Sequence, residues 1–506
     1  MKALLVAVNS SFVHTNPAVR SLTAAVRKNC SKAIRAEYAE YTINQHTHDV
    51  LRDILSRDPE IVCFSCYIWN IDFVLKMAQD IKKSAPNTKI LLGGPEVSFD
   101  GPACMEKYPF VDYLFSGEAE DVFPMFMECT AAEKPSGLDN VLYRENGKIC
   151  GGSSYHIMVD VADLPAPFAL EEDIYDANRI YYYESTRGCP FSCEYCLSGA
   201  IRGAVREKSV DQVKKEIKRY TRRDVSLVKF TDRTFNANLP RAKQIWNYII
   251  NETGDTLFHF EVGLDLLDEE ALALLCSAPK GKIQLEAGVQ SCNGKTLHTV
   301  IRKTNLDSLA KNAARILDAG NIHLHLDLIA GLPYEGMESF GESFNRIYLL
   351  FPDALQLGFL KLLPGTPLRK KAAQYGIVFR EYPPYEVLRT HDMTPENLLY
   401  LKGIEELLNR YYNTGRAKKA LRYLVEEHIY KPFALYCDLC DYCMENGFLT
   451  RPVSARNQFE VLIGFAEKYL QDRELKEFLR CLQDDYMRAK IKGIMPEKIN
   501  PSIHNF

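Results

Sequence analysis

The first 150 residues alternate between short apolar runs and amphipathic stretches of helical period. The apolar runs have the length of buried strands rather than of helices. Strands that alternate with helices predict a parallel sheet covered by helices on both faces, and ligands of such sheets bind at the carboxyl ends of the strands. The predicted strands are Lys2–Val8, Ile61–Ser65, Lys89–Leu92 and Asp112–Phe115, and the predicted helices include Asn16–Arg27 and Asp72–Lys83.

A second strand–helix rhythm follows the segment Asp163–Phe168. Pro165 and Pro167 interrupt the periodicity there, which indicates a connection between domains. Six βα units then predict an open, partial version of the TIM barrel, whose active groups lie at the C-terminal ends of the strands. The predicted strands are Ile180–Ser185, Ser226–Phe230, Leu257–Val262, Lys282–Glu286, Ile322–Leu328 and Ala354–Leu360.

Helical patterns alone continue from about Gly376. The candidates are Asn397–Arg410, Gly415–Glu427, Pro432–Asn446 and Val453–Leu470. We therefore predict an α/β chain with a Rossmann-like domain at 1–150, a linker at 151–178, a partial (β/α)6 barrel at 179–375 and a mostly α-helical domain at 376–506. We expect the helical domain to cover the open end of the barrel or to shape the substrate pocket.

The composition is that of an ordinary globular protein, with 46% hydrophobic residues, 25% charged residues and a net charge of −4. This net charge does not indicate a nucleic-acid partner. The apolar run Met1–Val8 is too short for a signal peptide, and no stretch approaches the ~20 apolar residues that span a bilayer. Fifteen scattered cysteines argue against a secreted disulfide framework, so we expect a cytoplasmic protein without a membrane partner.

Three of these cysteines carry the most specific chemistry in the chain. Cys189, Cys193 and Cys196 have the spacing Cys-x3-Cys-x2-Cys, and no fourth cysteine follows at short range. Three thiolates can hold three irons of a cubic 4Fe-4S cluster and leave the fourth iron open to another ligand. The alternatives are a structural zinc site, which would want a fourth ligand, and three ordinary buried cysteines.

The motif, with Tyr195 before the last cysteine and Arg-Gly-Cys-Pro in front, resembles the signature of radical S-adenosylmethionine (SAM) enzymes. In that superfamily the open iron chelates SAM, which an electron from the cluster cleaves to methionine and a 5′-deoxyadenosyl radical. The tips of the later strands resemble the same core, in order: Phe230–Asn236, Phe260–Val262, Glu286–Ser291, Leu328–Pro333 and Leu360–Pro367. The resemblance implies SAM-binding roles for Tyr195, Asp232, Glu261, Glu286, Gln290, Ile329 and Leu362.

The strand tips of the first domain resemble the cobalamin-binding domain that precedes many radical SAM cores. A serine after the third strand and a Gly-Gly turn after the fourth accommodate the dimethylbenzimidazole tail there, because glycine lets the backbone approach a bulky ligand. The resemblance implies cobalamin contacts at Asn9, Ser10, Ser65, Cys66, Tyr67, Gly93, Gly94 and Glu118. The loop after the first strand lacks the Asp and Gly of the cobalt-ligating Asp-x-His-x-x-Gly sequence, so we interpret His14 as a loop or substrate-facing residue.

The resemblance to cobalamin-binding radical SAM proteins, in the subgroup with a helical C-terminal domain of unknown function, implies three cofactors: the 4Fe-4S cluster, SAM and cobalamin. It implies radical chemistry on a small-molecule or nucleoside-type substrate, with methyl transfer to carbon as the commonest reaction, and an external electron donor such as flavodoxin or ferredoxin. One alternative is a cobalamin-independent radical SAM lyase or bond-cleaving enzyme acting on a nucleoside or tRNA-linked metabolite. The other is a non-enzymatic Fe-S carrier or sensor, which would gain nothing from an open iron.

Two further groups of residues have a structural and a functional interpretation. Cys437, Cys440 and Cys443 recur every three residues, which favours packing on one side of a helix over a second cluster. His323, His325 and Asp327 alternate on a predicted strand and therefore point to one face. We interpret them as packed core groups; the alternative is that they orient substrate or move a proton.

Overall fold

The computed structural model describes residues 1–134, 137–166, 168, 170, 175–201, 203–223, 225–491 and 495–500, so Pro167 of the predicted linker lies outside the described residues. The N-terminal part is a seven-stranded sheet in the order β2-β1-β3-β4-β5-β6-β7, parallel from β2 to β5. The strands are β1 (Lys2–Asn9), β2 (Arg35–Thr42), β3 (Ile61–Ser65), β4 (Lys89–Gly93), β5 (Tyr113–Phe115), β6 (Val141–Glu145) and β7 (Lys148–Gly151). The helices are α1 (Pro17–Asn29), α2 (Thr47–Ser56), α3 (Ile71–Ser84), α4 (Gly101–Lys107) and α5 (Phe123–Ala131).

The central part is a partial barrel of six parallel strands in the order β8-β11-β12-β13-β14-β15. Its strands are β8 (Ile180–Tyr183), β11 (Leu227–Phe230), β12 (Leu257–Glu261), β13 (Ile283–Gln290), β14 (His323–Ala330) and β15 (Ala354–Phe359), and a short pair, β9 (Thr186–Arg187) and β10 (Arg206–Glu207), lies between the first two. Its helices are α6 (Leu197–Ala200), α7 (Val210–Thr221), α8 (Leu239–Glu252), α9 (Glu269–Cys276), α10 (Gly294–Thr299), α11 (Leu306–Ala319), α12 (Met337–Tyr348) and α13 (Pro367–Lys370).

The helix ends of the barrel follow from local chemistry. The side chain of Asn305 accepts hydrogen bonds from the amides of Asp307 and Ser308 at the start of α11, which satisfies backbone donors that have no partner within the helix. The same helix ends at Gly320, whose φ of +65° is the left-handed conformation that glycine tolerates best. Such caps fix where each helix returns the chain to the next strand.

The C-terminal part is helical apart from one short hairpin, β16 (Val378–Phe379) with β17 (Val387–Arg389). Its helices are α14 (Pro395–Leu407), α15 (Lys418–Glu426), α16 (Pro432–Glu445), α17 (Ala455–Tyr469) and α18 (Asp472–Arg488), and a π-helical turn, Leu408–Asn413, extends α14. These helices pack beside the barrel, against α12 and the edge strand β15, and the hairpin approaches the strand tips through Leu362 and Tyr385. No helix of the described segments combines the length and the apolar character needed to cross a bilayer.

The α/β architecture and the six barrel strands agree with the prediction, whereas β2, the hairpin of β6 and β7, the hairpin of β16 and β17, and α18 were not predicted. β2 lies at the edge of its sheet and alternates buried with more exposed residues, unlike the continuous apolar runs that the prediction used. The interpretation of His323 as a core group is wrong, because it lies at the exposed start of β14, near Asp353. The first sheet ends at Gly151 and the barrel begins at Ile180, but the exact domain boundaries stay a prediction.

Candidate cofactor-binding and active site

The three motif cysteines lie on the loop between β9 and α6, at the C-terminal end of the first barrel strand. The amide of Glu194 in this loop donates to the carbonyl of Val300 at 3.0 Å, and its carbonyl accepts from the amide of Leu368 at 3.0 Å. The Glu194 carboxylate also pairs with Lys371. Since these partners follow the fourth and sixth strands, the cysteine loop is fixed from opposite sides of the barrel.

The three cysteine side chains line a cavity of about 160 Å³, which we call the cysteine cavity. Four of the predicted SAM contacts also line it: Tyr195, Glu261, Glu286 and Gln290. Within the described residues, no three His, Cys, Asp or Glu side chains converge on one metal position. A cubane instead takes one thiolate per iron, so three separated thiols around one cavity fit that donor set.

The predicted SAM contacts Asp232, Ile329 and Leu362 are not among the residues that line the cysteine cavity. Asp232 is fully buried, and its carboxylate accepts hydrogen bonds from the amide of Ser185 at 3.0 Å and from its hydroxyl at 2.5 Å. It therefore joins the ends of β8 and β11, and its SAM contact stays a prediction. Leu362 is likewise buried in the core.

Polar groups without partners indicate that the cysteine cavity accommodates a polar ligand. Oε1 of Gln290 and Oδ1 of Asp327 are buried and make no hydrogen bond with any described residue. Burial raises the pKa of Glu261 to about 7 and that of Asp327 to about 8. Because an unpaired buried polar atom is costly, a ligand that bonds to these groups would remove the cost. Asp327 thus belongs to this cavity, and its interpretation as a packed core group is wrong.

Arg302 is a residue of the cysteine cavity that the sequence analysis did not single out. Its guanidinium donates to the carbonyl of Gly288 at 2.6 Å, and its Nε is buried without a partner among the described residues. Burial raises the pKa of the Cys193 thiol, and the positive charge of Arg302 opposes that rise. A partly buried cation that forms no ion pair with a described carboxylate fits a cavity that holds anionic ligands.

A second cavity, of about 340 Å³, lies between the first domain and the barrel, and we call it the interdomain cavity. Five of the predicted cobalamin contacts line it: Ser65, Tyr67, Gly93, Gly94 and Glu118. The lining residues from the barrel include Glu184, Thr186, Arg187, Arg206, Thr231 and Arg233. The cavity reaches apolar side chains beneath the strand tips: Leu5, Val19, Leu22, Leu91, Phe115 and Phe123.

The Gly-Gly turn lines the interdomain cavity, and its second residue has to be glycine. Gly94 has a φ of +109°, and a Cβ atom there would lie 2.6 Å from the carbonyl oxygen of Cys66. Any other residue would therefore force the turn to move. This close approach joins two backbone segments of the chain, so the apolar floor of the cavity is the observation that fits a bulky, flat group between the strand tips.

Three predicted cobalamin contacts, Asn9, Ser10 and Cys66, are not among the residues that line the interdomain cavity. Cys66 is fully buried in the core on the other face of the sheet, because successive residues of an extended segment alternate in direction and Ser65 faces the cavity. The Asn9 amide donates to the carbonyl of His14 at 3.0 Å. His14 is outside both cavities, with its Nδ1 2.7 Å from the Tyr182 hydroxyl.

Three protein families match successive parts of the chain: "B12 binding domain" at residues 3–126, "Radical SAM superfamily" at 183–347 and "Protein of unknown function (DUF4080)" at 373–505. The chain belongs to the radical SAM proteins that carry a B12-binding domain. Its predicted membership is thereby confirmed, including the subgroup with a C-terminal domain of unknown function.

Curated relatives of this radical SAM protein include the cobalamin-dependent radical SAM methyltransferase TokK of Streptomyces tokunonensis, 27% identical over 342 residues that cover 63% of this chain and 50% of the relative. The 2-(S-pantetheinyl)-carbapenam-3-carboxylate methyltransferase of Streptantibioticus cattleyicolor is 25% identical over 354 residues, with the same shares. The chain thus spans about half the length of these two relatives. Among solved structures, the cobalamin-dependent SAM radical enzyme OxsB has a TM-score of 0.67 at 14% identity, over 99% of this chain and 83% of that one.

An ion-pair network at the interdomain cavity holds the B12-binding domain against the radical SAM barrel. Both Nη nitrogens of Arg206 donate to the Glu118 carboxylate, at 2.6 and 2.8 Å. Arg187 donates to Glu120 at 2.5 Å and to Glu184 at 2.9 Å. The two domains therefore share one set of charges at the wall of this cavity.

Proposed function

We propose that this protein is an enzyme that reductively cleaves SAM at a 4Fe-4S cluster and, with cobalamin, transfers a methyl group to carbon of a small-molecule substrate. One observation carries this proposal: the cysteine cavity and the interdomain cavity lie on two sides of the same strand-end segment, Thr231–Thr234. A substrate between them would be within reach of both cofactors. The curated relatives named as methyltransferases support methyl transfer over the lyase alternative.

Cys189, Cys193 and Cys196 would hold the cluster, and Glu261, Glu286, Gln290 and Tyr195 would orient SAM beside it. When bound, the cluster with SAM supplies the carbon radical and cobalamin supplies the methyl transfer. The side chains of the protein would bind the cofactors, hold the Asp327 proton and balance the charge of the site. Asp327, whose pKa burial raises to about 8, is a neutral hydrogen-bond donor near pH 7, and the Arg302 cation balances the negative charge of the thiolates and of the SAM carboxylate.

Ser65, Gly93 and Gly94 would accommodate the cobalamin tail above the apolar floor of the interdomain cavity, with Tyr67 and Glu118 at its rim. His14 bonds to Tyr182 instead, so no step is assigned to it as a cobalt ligand. We further propose an external flavodoxin or ferredoxin as electron donor. A reducing cytoplasm suits the fifteen cysteines, all of which are free.

The test starts with anaerobic purification, followed by reconstitution with iron and sulfide. We expect a cubane spectrum, release of 5′-deoxyadenosine from SAM under reductant, and corrinoid absorbance that stays with the protein on gel filtration after hydroxocobalamin is added. The variants Cys189→Ala, Cys193→Ala and Cys196→Ala should lose the cluster and the cleavage, whereas the control Cys276→Ala, outside both cavities, should keep them.

Each result separates the candidate functions. A cubane without SAM cleavage would favour the carrier or sensor. Cleavage without retained corrinoid would favour the cobalamin-independent lyase. Protein without any cubane signal would overturn the proposal as a whole.

A further inference from the structure

The segment Thr231–Thr234, which follows β11, forms the wall between the two cavities. Thr231 lines the interdomain cavity and Thr234 lines the cysteine cavity. Arg233 lines both. A ligand group that contacts the Arg233 side chain would therefore lie at the junction of the two cavities.

The guanidinium of Arg233 makes no hydrogen bond and no ion pair with any described residue. Its side chain is exposed and lines both cavities. The other two arginines of the interdomain cavity, Arg187 and Arg206, are both paired with carboxylates. The Glu261 carboxylate lies within electrostatic range of Arg233, but the two side chains are not hydrogen-bonded. Arg233 is thus an available cation in a cavity wall whose other arginines are already neutralised.

The backbone that carries Arg233 is held rigidly on both sides. The neighbouring Asp232 carboxylate bonds to Ser185, as described above. Three residues after Arg233, the side-chain amide of Asn236 donates to the carbonyl of Gly263 at 2.8 Å and accepts from the backbone amide of Gly263 at 2.9 Å. A fixed backbone below an unpaired side chain is the arrangement expected of a residue that positions a ligand.

We propose that Arg233 binds a carboxylate or phosphate group of the substrate and holds the substrate at the junction of the two cavities. This inference rests on the proposed function, because a substrate of that reaction has to reach both cofactors. The planar guanidinium suits both anions, since it can donate two parallel hydrogen bonds to either. The structure thereby assigns an anionic small molecule as the substrate class.

The test measures how fast phenylglyoxal modifies individual arginines, with peptide mass spectrometry as the readout. The protein is labelled as purified and after cluster reconstitution, alone or with inorganic phosphate, with succinate or with SAM. We expect phosphate or succinate, at ten times its Kd, to slow modification of Arg233 roughly tenfold, because the rate follows the free fraction of the site. The control is Arg473, an exposed arginine of α18 without an ion pair to any described residue, and its rate should not change.

The two anions distinguish a phosphate-bearing from a carboxylate-bearing substrate. Equal rates at Arg233 with and without both anions would overturn the inference, as would an Arg233 that phenylglyoxal never modifies. Full protection by SAM alone would place Arg233 in the SAM site and would also overturn it. Failure of the proposed function is seen separately, because labelling needs neither SAM cleavage nor corrinoid.

Discussion

Glu335 is a fully buried carboxyl group without an ion-pair partner among the described residues. Its Oε1 accepts hydrogen bonds from the hydroxyls of Ser291 at 2.5 Å and Ser343 at 3.0 Å, while its Oε2 has no partner among the described residues. Burial outweighs these hydrogen bonds and raises its pKa to about 7. The folded protein therefore favours the neutral form of this group, whereas the unfolded chain ionises it at its ordinary lower pKa.

The sign of the pH effect follows from that difference. Stability contributed by the neutral carboxyl is complete at pH 4 and is lost as the pH rises through about 7. Glu335→Gln keeps an acceptor for both serines and cannot ionise, so we expect it to raise the midpoint of thermal unfolding at pH 8.5 and to change it little at pH 5. The rise of the Glu335 pKa from 4.5 to about 7 corresponds to about 3 kcal/mol at most.

Thermal unfolding of wild type, Glu335→Gln and the control Glu338→Gln at both pH values checks this prediction. Glu338 is exposed on α12, so its substitution should have the same small effect at each pH. A gain for Glu335→Gln that is equal at pH 5 and pH 8.5 would contradict the proposed cause.

At the scale of single residues, the sequence could identify the donor atoms but not always the direction of a side chain. The cysteine spacing alone predicted a common site for Cys189, Cys193 and Cys196, and the structure places all three in one cavity. Cys66 was assigned together with Ser65, although neighbours in an extended segment face opposite sides. The resemblance implied SAM binding for Asp232, whereas its bond to Ser185, 47 positions earlier, is a tertiary contact that no local pattern reveals.

Among the elements, the edge strand β15 has an unusual partner. The side chain of Asn413, at the end of the π-helical turn, accepts from the Leu355 amide at 2.9 Å and donates to the Leu355 carbonyl at 3.0 Å. It thus replaces the neighbouring strand that an edge residue lacks, and α14 also packs against β15. We infer that this contact docks the helical domain on the barrel.

We expect Asn413→Leu to destabilise that docking by about 2 kcal/mol, because two buried backbone groups of β15 would lose their partner. Hydrogen exchange of the Leu355 amide should accelerate, and the midpoint of thermal unfolding should fall. Asn251→Ala on α8 is the control, because its side chain is exposed and bonds only within its own helix. Unchanged protection at Leu355 in Asn413→Leu would contradict the inferred role.

Helix α16 carries the second group of three cysteines on a continuous helix, as their spacing predicted. Burial raises the pKa of Cys437 to about 11 and those of Cys440 and Cys443 to about 12, so all three are protonated thiols at neutral pH. Cys437→Ser removes the least buried of them. We expect iron content per chain to stay at the wild-type value in this variant and to fall in Cys189→Ser. A loss of about four irons in Cys437→Ser would instead establish an auxiliary cluster.

The strands that the sequence did not reveal are those without a continuous buried apolar run. The β6–β7 hairpin turns at Asn146 and Gly147, both with positive φ, and Asn-Gly between two short runs was an available signal for it. The hairpin of β16 and β17 has only two to three residues per strand and closes on the barrel through Leu362 and Tyr385. Such pairs depend on tertiary contacts, and a periodicity search therefore does not find them.

At the scale of the whole molecule, the order of domains and their chemistry could be predicted, but the charges between the domains could not. Glu118 follows the fifth strand of the first domain, and Arg206 lies 88 positions later in the barrel. Their pair is mostly buried, with 13% of the Arg206 side chain and 14% of the Glu118 side chain exposed. Such a pair fixes the relative position of the domains, because removing one partner leaves the other charge buried and alone.

Arg206→Met should therefore weaken the interdomain contact by ~3–5 kcal/mol, whereas the double variant with Glu118→Met should recover most of that loss. The readouts are hydrogen exchange of the loop Ser116–Val122 and the rate of proteolysis in the linker, both of which should increase in the single variant. Arg422→Met, which breaks the exposed Arg422–Glu426 pair on α15, is the control and should change neither. If the double variant opens as far as Arg206→Met, the isolated Glu118 charge is not the cause, and the hydrogen bond that the Arg206 guanidinium donates to the carbonyl of Met158 at 2.6 Å, which both variants lose, would have to hold the domains instead.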